Sequence, residues 1–226
     1  MQVDQGREVG ASHPPFIITT RDARELTKLA DALAAIDVAA NSRCDAVKLG
    51  LPHVPWAWCT SLFQRADERG VVLLARAEDE EAVERLDWLG AHAYDIPFQI
   101  CDLELVARAA RTGKAIVMAV GTASILELAE IAEIVKRNGT GGLALMVPIH
   151  DDEDLLKIDA LQHLGVSIGV SDASPDPRRA LAAIARGASV VEKRRVAPAV
   201  MTDVIRHCEL AWSSLATNVG TTWATN

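Results

Sequence analysis

The stretch GVSIGVSDASPDP, residues 165–177, reads as a buried strand that ends in polar residues and turns into a helix. Val166, Ile168 and Val170 recur with the two-residue period of a strand. Ser171 and Asp172 then close it, and Asp176 and Pro177 suit a helix cap and a first helical position ahead of RRALAAIARG. The question is why a hydroxyl and a carboxylate stand where an apolar run stops.

Working outward, the same unit of apolar run, polar end and amphipathic helix repeats along the chain. Strands are expected at 15–20, 44–51, 70–77, 91–98, 115–121, 141–149, 165–171 and 187–196. Their near-continuous apolar character suits parallel strands covered on both faces. Between them lie amphipathic segments such as DARELTKLADALAAID (22–37), WAWCTSLFQRADERG (56–70) and SILELAEIAEIVKRNG (124–139), several opening with Ser or Asp and most ending in Gly. Eight such units without a composition shift predict an α/β fold, a single-domain (β/α)8 TIM barrel over 15–212. Residues 1–14 form an N-terminal segment, and 213–226 read as a mobile tail.

Half of the 226 residues are hydrophobic and only 4% are aromatic, so Ala, Val, Leu and Ile must build the core. A net charge of −8 argues against nucleic acid or a membrane surface as partner. No apolar run is long enough to cross a bilayer. The polar start MQVDQGREVG lacks the apolar core of a signal peptide, and a cytoplasmic protein is expected. Cys44, Cys59, Cys101 and Cys208 form no CxxC pair and are expected as reduced, buried thiols.

In such barrels chemistry collects at the C-terminal strand ends. The residues falling there are Thr20, Lys48, Arg76, Asp95, Ser171, Asp172, Glu192, Lys193 and Arg194. Lys48 reads as an anion holder, as a Schiff-base amine if desolvation lowers its pKa, or as a structural partner of a carboxylate. Asp172 reads as a base, a substrate-hydroxyl acceptor or a turn cap. Alternation sends Ser171 and Asp172 to opposite faces, and likewise Glu192 and Lys193, so only one of each pair enters the barrel. Arg178 and Arg179, with the EKRR run, suggest an anion site near the last two strands or a solvated loop face. His150 beside Asp151 and Asp152 matches no strong metal-ligand spacing. Trp56 and Trp58 read as staples holding a helix to the barrel.

With these strand ends in place, the chain resembles the sialic acid synthase (N-acetylneuraminate synthase) family. The segments that carry the resemblance are DAVKLG, TGKAIVMAVGTASILELAEIAEIV, GVSIGVSDAS and GASVVEKRRV. The resemblance implies a barrel that condenses phosphoenolpyruvate with an amino sugar, using manganese or magnesium. It places Lys48, Gly121, Ser171, Asp172, Glu192 and Lys193 where the family keeps the same types. It also places Leu145 and Ala173 at the family's two metal-binding histidines, and neither side chain can bind a metal ion. Asp95 stands at a family Lys that binds phosphoenolpyruvate, with Phe98 and Ala119 at serines, Thr20 at a Glu and Arg194 at a His. The family's C-terminal antifreeze-like domain is not expected in this chain.

The expectation is therefore a diverged enzyme of aldol-type carbon–carbon bond formation or cleavage on a small oxygenated, anionic, sugar- or keto-acid-like substrate, with no metal or other cofactor. Lys48, Asp95, Asp172, Glu192 and Lys193 are its candidate catalytic residues. Thr20, Arg76, Gly121, Ser171, Arg178 and Arg194 are its candidate substrate-binding residues. A non-catalytic small-molecule-binding or partner subunit, as a homo-oligomer or in a complex, is the alternative. A synthase with a metal relocated to His150, Asp151 and Asp152 is the third reading.

Overall fold

A computed structural model describes residues 1–4, 7–50, 54–100 and 102–218. Eight parallel strands close into a barrel, each paired with the next in chain order and the last with the first. These strands are β3 (Phe16–Asp22), β4 (Ala46–Gly50), β5 (Val72–Arg76), β6 (Ala93–Asp95), β7 (Ala115–Ala119), β8 (Leu143–Ile149), β9 (Ser167–Asp172) and β10 (Val190–Arg194). Each expected apolar run supplies one strand; six strands lie within their runs, while β3 continues past residue 20 to Asp22 and β9 past residue 171 to Asp172. Helices α1 (Leu29–Asn41), α2 (Trp56–Arg69), α3 (Glu80–Trp88), α4 (Leu103–Arg111), α5 (Ile125–Asn138), α6 (Leu156–Leu161), α7 (Arg178–Ala185) and α8 (Pro198–Asn218) alternate with them.

The helix starts follow from capping chemistry. Asp79 accepts from the Ala82 N–H, Asp102 from Leu105, and Ser124 from Glu127 in a reciprocal capping box. Gly70 ends α2 with φ +64°, a left-handed conformation in which its missing Cβ avoids strain. Two boundaries differ from the sequence pattern. The segment from Asp22 first makes a short 3₁₀ turn (Ala23–Glu25), and α1 begins only at Leu29. The last helix runs on to Asn218, past residue 212, and the remainder of the expected tail lies outside the described residues.

The apolar residues sort into two shells. Phe16, Ile18, Ala46, Val72, Leu74, Ala93, Ala115, Val117, Ala144, Met146 and Val190 form the lumenal core. The residues between them on the same strands, such as Ile17, Val47, Leu73, Ile116, Leu145 and Val191, pack outward against the helices. A short antiparallel hairpin, β1 (Gln2–Asp4) and β2 (Arg7–Glu8), closes the base of the barrel. Val3 and Val9 are buried in the lumenal core, and the Gln2 N–H donates to the Gly141 carbonyl. The sequence pattern gives no strand there, because segments of two or three residues carry no readable period.

Candidate active site at the mouth of the barrel

The two shells settle which way each polar strand-end residue points. On β9, a Cβ at Gly169 would lie 2.5 Å from Met146 Sδ and 2.7 Å from Val190 Cβ, both lumenal. Gly169 therefore faces the lumen, and Ser171, two residues on, shares that face. Val190 sets the same parity on β10, so Glu192 and Arg194 face inward. Phe16 and Ile18 bring in Thr20, Ala46 brings in Lys48, Val72 and Leu74 bring in Arg76, and Ala93 brings in Asp95. Thr20, Lys48, Arg76, Asp95, Ser171, Glu192 and Arg194 are thus gathered from six of the eight strands at one end of one lumen.

Three of these residues form a linked ion cluster. Lys48 Nζ donates to Asp95 Oδ1 at 2.6 Å, and Arg76 Nε donates to Asp95 Oδ2 at 3.3 Å. The Thr20 hydroxyl donates to Glu192 Oε1, tying β3 to β10 beside Lys48. Burial by itself pushes the Lys48 pKa down, but Asp95 and Glu192 push it up more strongly, and the net direction is upward despite Arg76. The Schiff-base reading, which needs a lowered pKa, is not met by this environment. Lys48 is an ammonium ion. Arg194 completes the set, with its Nε buried and without a hydrogen-bond partner among the described residues.

The other candidates lie elsewhere. Asp172 and Lys193 are register partners on adjacent strands and point outward, into the helix layer. Lys193 Nζ donates to Asp172 Oδ2 at 2.6 Å and to the Ser174 and Asp176 carbonyls at 2.7 and 2.9 Å, using all three of its protons. Asp172 Oδ1 accepts from the Ser174 N–H. Both side chains are fully buried. This pair latches the β9–α7 loop onto β10, so neither residue reaches a substrate in the lumen. The serine of the opening stretch faces the site and the aspartate holds the turn.

Arg178 sits exposed at the start of α7 and pairs with Asp176, away from the lumen, and Arg179 pairs with Asp152. The expected basic cluster is thus divided among separate ion pairs. Gly121, in the turn after β7, has φ +54°, and a Cβ there would fall 1.7 Å from the Gln99 side-chain amide. Its place depends on that close approach, and Gln99 is a rim residue that no sequence pattern singled out. Trp58 packs half-buried against the helix-facing core, as a staple should. Trp56 instead is exposed, with the Arg85 guanidinium 5.0 Å from its ring centre. It lines a cleft of about 350 Å³ between α2 and α3, which Arg76 also lines.

The donor set does not fit the divalent ion that the resemblance implies. Leu145 points outward, and the lumenal residues flanking it on β8 are Ala144 and Met146, which supply no hard ligand. Ala173 lies beyond the end of β9. Asp151 accepts from the Glu153 and Asp154 N–H groups as a turn cap, and Asp152 is taken by Arg179, so His150 gains no partners for a relocated site. Among the described residues, no group of three His, Cys, Asp or Glu side chains converges as a metal would require. Cys44, Cys59 and Cys208 are free and buried, and Cys101 lies outside the described residues. No described helix is long and apolar enough to cross a membrane.

Known proteins agree with this architecture. The chain is 29% identical to pseudaminic acid synthase of Helicobacter pylori over 62% of its own length and 43% of that protein. It is 24% identical to the spore coat polysaccharide biosynthesis protein SpsE of Bacillus subtilis over 83% of its length and 61% of that protein. The chain thus spans less than two thirds of either relative. The SpsE crystal structure superimposes with a TM-score of 0.85 at 21% identity, covering 98% of this chain and 74% of SpsE. An N-acetylneuraminic acid synthetase from Leptospira borgpetersenii, solved with citrate, gives 0.82 at 21% identity, covering 100% of this chain and 92% of that one. The sequence profile of the NeuB family matches residues 50–197, about two thirds of the chain, from the end of β4 to the loop after β10. The chain belongs to the NeuB family.

Proposed function

We propose that the barrel mouth binds a small oxygenated, sugar- or keto-acid-like carbonyl compound and catalyses aldol-type carbon–carbon bond formation or cleavage on it. The observation that carries this reading is the convergence of Lys48, Glu192, Thr20, Ser171 and Arg194 inside the mouth of a NeuB-family barrel. Glu192, oriented by Thr20, is the base that takes the proton from the carbon beside the carbonyl. Lys48, as an ammonium, donates a hydrogen bond to the carbonyl oxygen and neutralises charge that develops on it. Arg194, half-buried and lumenal at the end of β10, holds the carboxylate of the substrate through its guanidinium. Asp95 and Arg76 fix Lys48 in place.

The reading takes the reaction to be metal-independent, supported by the lumenal donor set described above. No step is routed through a metal ion. One observation favours the alternative of a non-catalytic binding subunit. Lys48 already donates to Asp95 and Glu192 already accepts from Thr20, so both functional groups are engaged by the protein before a substrate arrives.

The test is proton–deuterium exchange at the carbon beside the carbonyl, followed by NMR with 2-keto acids and amino sugars, in chelator. The reading expects exchange by the unmodified protein and a loss of about 100-fold or more in Glu192→Gln, the usual worth of a positioned base. Binding without exchange by any compound favours the binding subunit.

A further inference from the structure

Lys48 and Arg76 approach one another from adjacent strands, as two cations do around a ligand's carboxylate or phosphate. Here that position is already filled. Asp95 places one oxygen on each cation, at 2.6 and 3.3 Å, from a side chain only 2% exposed beneath Lys48 at 16% and Arg76 at 36%. Its backbone is held as well, since Asp95 pairs in register with Arg76 and its carbonyl accepts from the Ala77 N–H. With Glu192 beside Lys48, two carboxylates balance two cations. An incoming oxyanion meets no net positive charge there and a fixed negative charge within a few ångströms.

We infer that Asp95 is a specificity-determining residue, a built-in counter-anion that excludes ligand phosphate or carboxylate groups from the Lys48–Arg76 position. A single ligand carboxylate is directed instead to Arg194, and a ligand with two anionic groups is rejected. The inference rests on the mouth being the ligand site of the proposed function. Its test reads binding rather than turnover, so a mouth that binds without catalysis still passes it.

The test is calorimetric titration with inorganic phosphate and, separately, with pyruvate. The unmodified protein is expected to bind no phosphate below about 10 mM. Asp95→Asn keeps the shape and removes the charge, and is expected to bind phosphate about 100-fold more tightly or better, weakening with salt. Adding Arg76→Gln to it should abolish that gain. If Lys48, left with Glu192 but without its hydrogen-bonded partner, unfolds Asp95→Asn, the double variant Lys48→Met/Asp95→Asn removes both charges, leaves Arg76, and should still gain about tenfold. Pyruvate binding should be lost in Arg194→Gln and kept in the unmodified protein. Submillimolar phosphate binding by the unmodified protein that Arg76→Gln abolishes would overturn the inference. So would a folded Asp95→Asn, or a folded double variant, that gains no phosphate binding.

Discussion

Lys193→Met separates a latch from a catalytic lysine. The substitution keeps the length and apolar stem of the side chain and removes one charge from a pair that is fully buried on both sides. Asp172 then retains only the Ser174 N–H as a close partner, with Arg179 4.0 Å away, and the Ser174 and Asp176 carbonyls lose their donor. Removing one member of a buried ion pair costs about 3–5 kcal/mol, because the other is left uncompensated. The two carbonyls lie in a partly buried loop where water can replace the ammonium, so the total stays near about 4 kcal/mol. For a domain of this size that lowers Tm by about 8–16 °C. The assay is urea unfolding followed by tryptophan fluorescence, run alongside Asp172→Asn and the double variant. The double variant should recover part of the loss, since it leaves no lone charge buried. If Lys193→Met lost less than about 1 kcal/mol and yet abolished ligand binding, the outward latch would be refuted and Lys193 would belong to the mouth.

Three further outcomes follow from the same geometry. Gly169→Ala drives a methyl into Met146 and Val190, so unfolding should show about 1–3 kcal/mol of overpacking. Asp154, held down to about 2 by Lys157 and the His150 and Asp151 N–H groups, contributes stability that is full above the ordinary carboxylate pKa and fades as pH falls toward 2. Lys48, whose pKa is raised, contributes below the ordinary lysine pKa and loses it at higher pH, so urea midpoints should fall at both extremes and Asp154→Asn should flatten the acid limb. Burial pushes the Cys44 and Cys208 thiols up to about 12, so iodoacetamide at pH 8 should leave both unmodified in the native protein and label both in urea, read by peptide mapping.

The barrel was legible because its strands and helices each announce themselves locally. Apolar runs of the right length recur at even spacing, and Asp79, Asp102 and Ser124 mark helix starts with capping groups that the structure uses. The site was legible only as a set of strand ends. Alternation says that Ser171 and Asp172 face opposite ways, but the absolute direction is set by what Gly169 packs against, which is a contact between distant strands. Gly169 was the available signal, since a residue without a side chain in an apolar strand marks a crowded face. The same gap kept Asp172 and Lys193 among the candidates for the mouth, although both point into the helix layer. The environment of Lys48 was equally hidden, because Asp95 and Glu192 reach it from strands far away in sequence and reverse the effect of its burial. The base plug was invisible for a different reason, since Val3 and Val9 sit in segments too short to show a pattern.

A mouth that works through Lys48, Glu192 and Arg194 without a divalent metal, as proposed above, should bind its ligand in chelator as well as with metal. Calorimetric titration of the chelator-treated protein with pyruvate and with phosphoenolpyruvate, with and without manganese, decides this. Pyruvate should bind with an affinity that manganese leaves unchanged, and phosphoenolpyruvate should not bind in either condition. Micromolar binding of phosphoenolpyruvate that tightens with manganese would contradict the proposal.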